Sequence, residues 1–144
     1  MSTDTARLII CERTGDWAVS LRRELADAGV RIWETRTLVQ CWDLLAEFPN
    51  SFAIVEFSSA NADDLLRRMD RSRRVFPEAR IAVVAERALA EYQWLARESG
   101  AVHFTCSPRQ LGPLTKMACR HLARAPVVPQ CLAERIWAGL PWSQ

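Results

Sequence analysis

The chain has 144 residues, of which 49% are hydrophobic and 25% charged, with a formal net charge of +2. That length suits one domain with a core of its own, and that balance excludes an intrinsically disordered chain. So small a charge gives no ground for a nucleic-acid partner, and no stretch approaches the roughly 18 apolar residues of a membrane span.

Apolar runs alternate with amphipathic stretches along the chain. Leu8–Cys11 is short and wholly apolar, as in a strand buried on both faces. Asp16 to Ala28 carries Trp17, Leu21, Leu25 and Ala28 at helical spacing, with Gly29 as its stop. Arg31–Thr35 alternates and reads as an edge strand, and Val39–Phe48 is helical with Trp42, Leu45 and Ala46 on one face. Phe52–Val55 predicts a third strand, and Asp63–Val75 a helix with Leu65, Leu66 and Met69 inward. Ile81–Val84, the helix Ala88–Ser99, the strand Val102–Cys106 and the helix Leu111–Ala123 complete the series.

Five βα units in strict alternation predict an α/β fold: a parallel sheet flanked by helices on both faces. Residues 1–125 form that domain. Residues 126–144 form an appendage in which Leu132, Ile136 and Leu140 recur every four residues beside Trp137, predicting a short amphipathic helix from Pro129 to Gly139. Ligands of such sheets sit beyond the carboxyl ends of the strands, which directs attention to the residues after 11, 55, 84 and 106.

There the sequence resembles the receiver domains of bacterial two-component response regulators, including stand-alone ones such as the chemotaxis regulator, from about residue 7 to residue 124. In that family an acidic pair follows strand 1, a phospho-accepting Asp ends strand 3, a hydroxyl ends strand 4, and a Lys precedes a cis-proline after strand 5. The resemblance places Glu12 and Arg13 at the acidic pair, Glu56 at the phospho-acceptor, Ala85 at the hydroxyl and Ser107, before Pro108, at the lysine. Phe104 stands where the family carries a switch aromatic. Residues that build the fold match, and those that carry phosphotransfer do not. This implies a degenerate pseudo-receiver that is not an enzyme.

A Mg²⁺ site needs hard oxygen ligands in near-octahedral geometry, and an arginine at close range repels the ion. The expected substitute is Arg13 bridging Glu12 and Glu56, since guanidinium pairs bidentately with carboxylates. Glu56 imitates a phospho-aspartate poorly, because phosphate brings nearly two charges and three acceptor oxygens. The five cysteines (Cys11, Cys41, Cys106, Cys119, Cys131) show no CxxC spacing. Free, largely buried thiols are expected, with no metal and no cofactor. Met1–Arg7 lacks the apolar region of a signal peptide, so a cytoplasmic location is expected.

Arg67, Arg68, Arg71, Arg73 and Arg74 cluster on the third helix and beyond, but Asp63, Asp64, Asp70 and Glu78 lie among them. A mixed face of this kind reads as solvated rather than as a nucleic-acid site. Trp17 and Trp42 fall at inward positions, and Trp33 at an exposed edge. Tyr92, Trp94 and Phe104 fall on the face of the fourth helix, fifth strand and fifth helix, which the resemblance marks as the family's partner and dimer surface. With Ile136, Trp137, Leu140 and Trp142 of the appendage they are the candidate interface. The expected function is therefore a protein–protein interaction or adaptor module in bacterial signalling or regulation, with a homodimer through the same face as one form. The alternative is a small-ligand sensor using the crevice at the strand ends.

Overall fold

The computed structural model describes residues 6–124. Five parallel strands, β1 Leu8–Cys11, β2 Ile32–Thr35, β3 Phe52–Phe57, β4 Arg80–Ala85 and β5 His103–Thr105, form one sheet in the order β2-β1-β3-β4-β5. The helices are α1 Asp16–Glu24, α2 Leu38–Glu47, α3 Ala62–Val75, α4 Gln93–Glu98 and α5 Gly112–Arg124. Register is continuous from β1 into both neighbours: Ile10 pairs with Glu34 on one side and Ile54 on the other.

Alternate strand residues point to opposite faces, which divides the core in two. Leu8, Ile10, Phe52, Ile54, Ala82 and Val84 pack against Trp17 and Leu21 of α1 and Leu114 and Ala118 of α5. Ile9, Cys11, Val55 and Val83 pack against Cys41 and Leu45 of α2, Leu65 and Met69 of α3, and Ala96 of α4. All four residues of β1 are buried, as a central strand covered on both faces requires. The apolar runs of the sequence are this double burial. No helix among the described residues is long and apolar enough to cross a membrane.

Several boundaries differ from the sequence expectation. The first helix ends at Glu24, not Ala28, because Leu25 leaves helical geometry and Ala28 N–H bonds back to Leu25 C=O at 3.0 Å. Gly29, at φ 67°, closes that turn rather than the helix. The expected fourth helix is a 3-10 segment, Arg87–Tyr92, followed by the short α4. Helices draw most of their stability from packing an apolar face, and in this whole stretch only Ala96 is buried. Trp33 is not a bare edge residue: the guanidiniums of Arg7 and Arg31 lie 5.2 and 4.5 Å from its ring centre. Trp42 is half-buried at the rim of the core, where its indole N–H donates to Ser72 Oγ at 2.8 Å. Trp17 is core, as its spacing predicts.

Candidate functional site

The strand order reverses between β1 and β3, the switch point at which open α/β sheets place their sites. Glu12 and Arg13 follow β1 there, and Glu56 is the last residue but one of β3.

Glu12 is only 2% exposed, and both its oxygens are committed. Oε1 accepts from Trp17 N–H at 2.8 Å and Oε2 from Ala18 N–H at 2.7 Å. These are the second and third amides of α1, the ones an N-cap side chain ordinarily satisfies. The N-cap is Gly15, at φ 97°, which has no side chain to offer. Glu12 reaches across the turn in its place, and its charge is favourable at the positive end of the helix. A carboxylate turned into α1 is not free to face the crevice.

Arg13 does not form the expected bridge. Its side chain is exposed, and no ion pair joins it to either glutamate among the described residues. Its link to Glu56 is through the main chain, Arg13 N–H donating to Oε1 at 3.3 Å. The physical reason is that α1 has already taken Glu12, so a guanidinium between the two carboxylates would find one acceptor instead of two. The two carboxylates are met by backbone amides rather than by a guanidinium between them.

Glu56 is half-buried, and the loop after it is held by Asn61. Asn61 Nδ2 donates to Glu56 C=O at 2.7 Å, its Oδ1 accepts from Ser58 N–H at 2.8 Å, and its own N–H donates to Ser58 Oγ at 3.3 Å. Sequence reasoning passed over Asn61; the legible signal was Ser58-x-x-Asn61 ahead of a helix, a reciprocal side-chain-to-backbone turn. In the β3–β4 register Glu56 pairs with Val84 and Phe57 with Ala85, so the end of β4 offers a buried methyl group. Across the crevice Ser107 N–H donates to Thr105 Oγ1 at 3.2 Å, and Ser107 C=O accepts from Gln110 N–H at 3.1 Å in a turn with Pro108 at its second position. No peptide bond among the described residues is cis, Ser107–Pro108 included.

Beneath the crevice Cys11 and Cys41 form a buried thiol pair. A hydrogen bond with the Cys41 thiol lowers the Cys11 pKa against the opposing effects of burial and of Glu56 and Glu12. The same bond and burial raise Cys41 well above the usual thiol range. Burial alone also raises Cys106, which is half-exposed, as is Cys119. Cys131 lies outside the described residues.

A response regulator from Thermotoga maritima superposes with a TM-score of 0.65 at 14% identity, covering 82% of this chain and 98% of that one. The chain has the receiver fold. A putative pilus assembly-related protein from Burkholderia pseudomallei follows at 0.58 and 20%, covering 85% and 96%. A putative pilus assembly protein from Burkholderia thailandensis stands at 0.55 and 23%, covering 81% and 98%. No family model matches the sequence, and no curated protein sequence matches it.

On this receiver fold the candidate interface residues separate. Trp94 is 61% exposed and Tyr92 38%, two residues apart where the 3-10 segment meets α4, with the Tyr92 ring 5.6 Å from that of Phe57. Phe104 is 7% exposed and belongs to the core, which corrects its assignment to the surface: it lies mid-strand on the face that α2, α3 and α4 cover. A cavity of about 370 Å³ opens beside it, between Arg87, Ala90 and Gln93 on one side and Cys106, Ser107 and Gln110 on the other. Ile136, Trp137, Leu140 and Trp142, with the whole 126–144 appendage, lie outside the described residues.

Proposed function

We propose that this chain is a pseudo-receiver that works by binding a protein partner through α4 and the 3-10 segment before it, not by phosphotransfer. The observation that carries this reading is Trp94, a tryptophan 61% exposed, with a second exposed aromatic, Tyr92, two residues before it. Large exposed apolar side chains mark interfaces, and tryptophan and tyrosine are among the side chains most often found as binding hot spots. The cavity next to them could receive a partner side chain. Loss of phosphotransfer is supported by Glu12 capping α1 and by Ala85, a methyl where the end of β4 would need a hydroxyl. Two of the similar structures are named for pilus assembly, which supports seeking the partner in such a machine.

The test is affinity purification from the native host with wild-type protein and with Trp94→Ser and Tyr92→Ser together. A partner retained by wild type and lost by the variant is expected. A partner held equally by both would remove α4 from the interface. In parallel, incubation with a small phosphodonor and Mg²⁺ should leave the intact mass unchanged, and a stable gain of one phosphoryl group would overturn the pseudo-receiver reading.

A further inference from the structure

The amino-terminal end of the sheet, opposite the crevice, carries a concavity that neither the receiver fold nor partner binding at α4 uses. It encloses about 400 Å³, within the size range of small-molecule sites. Its apolar lining comes from Phe52 at the start of β3, Val102 just before β5, and Met117 of α5. Its charged lining is three arginines against one carboxylate, Glu78.

The arginines are placed by the fold. Met117, Arg120, His121 and Arg124 recur at helical spacing and share one face of α5. Arg80 opens β4, and its Nη1 donates to Pro77 C=O at 2.9 Å and Ala79 C=O at 3.0 Å, which fixes the guanidinium at the rim. Arg120 and Arg124 make no ion pair among the described residues, so two donor forks four residues apart on α5 are uncommitted. His121 is pinned, its Nε2 2.7 Å from Asn50 C=O and its ring centre 5.8 Å from that of Phe52. A carbonyl only accepts, so Nε2 carries the hydrogen.

Uncommitted guanidiniums around an apolar floor select a ligand with a compact anion at one end and an apolar or ring-shaped body at the other. Guanidinium forks match phosphate bidentately, and a lone carboxylate beside them suits a sugar hydroxyl. We infer that this cavity binds an organic phosphate of mononucleotide size, its phosphate on Arg120 and Arg124 and its body on Phe52, Val102 and Met117. The site would make the domain responsive to a small metabolite at the end of the sheet remote from the crevice.

The experiment is calorimetric titration of the full chain with AMP, with inorganic phosphate and with adenosine, alongside NMR of the Met117 methyl group. AMP should bind, should shift the Met117 resonance, and should bind more tightly than either fragment. Arg120→Ser with Arg124→Ser should weaken AMP about tenfold or more, the loss expected of a charged hydrogen bond. Both positions are exposed, and an unchanged circular dichroism spectrum would certify the fold. A control removing Arg23 and Arg71, remote exposed arginines, should leave affinity unchanged. No AMP binding at millimolar concentration, phosphate binding as tightly as AMP, or equal weakening by the remote pair would each overturn the inference.

Discussion

At the scale of single residues, Glu12 spends its charge on the end of α1. Buried amides without acceptors are costly, and Glu12 satisfies two of them at once. Replacing it by Ala should cost about 2 kcal/mol, as for loss of a strong helix N-cap, read as a lower urea midpoint at unchanged slope. Glu12→Gln keeps one acceptor oxygen and should fall between. The loss should be local as well as global, with faster amide exchange at Trp17 and Ala18. Unchanged stability in Glu12→Ala would mean that water caps α1 equally well. That Glu12 matters was legible in its place after β1, but what it does was not. Its role depends on Gly15 leaving the helix end bare, and that is a matter of local geometry.

At the scale of elements, the segment from Arg87 to Glu98 is the least anchored part of the sheet's cover. Its one buried side chain is Ala96, whereas α1, α2, α3 and α5 each bury three residues. Local opening is cheapest where buried apolar contacts are fewest. Amide exchange across 87–98 should therefore be faster than in α1 or α5, and binding of the partner should slow it. Protection there equal to that of α5 in the free protein would contradict the packing argument. Trp94→Ser alone should change folding stability by no more than about 0.5 kcal/mol, as expected of an exposed site, which keeps a binding defect separable from misfolding. The sequence showed a helical period here but could not show how little of it finds a partner.

At the scale of the whole molecule, the two histidines set a pH response. Burial, with Arg97 nearby, lowers the pKa of His103, and burial chiefly lowers that of His121. A histidine with a folded pKa below the free value near 6.5 takes up fewer protons folded than unfolded in the window between them. Its contribution to stability is present above about pH 6.5 and is lost as pH falls through that window. The urea midpoint should drop between about pH 7.5 and pH 5.5, and the double variant His103→Gln, His121→Gln should flatten that drop. Identical slopes in both proteins would assign it elsewhere. The number of strands, their parallel orientation and the burial of β1 were determined by the sequence alone. Double burial and strict alternation leave periodic marks that few other folds share, so the resemblance and the periodicity agreed. What the crevice does with its charges was decided only by the tertiary structure. Glu12 is five and six residues from the amides it caps, and Arg13 is forty-three from Glu56; which acceptor a charge finds across such distances is a question of geometry, not of composition. The same holds for Arg80 and Arg120, which the chain brings to one cavity from different elements. The receiver fold was readable from the first strand onward, and the commitment of Glu12 to the amides of α1 was not.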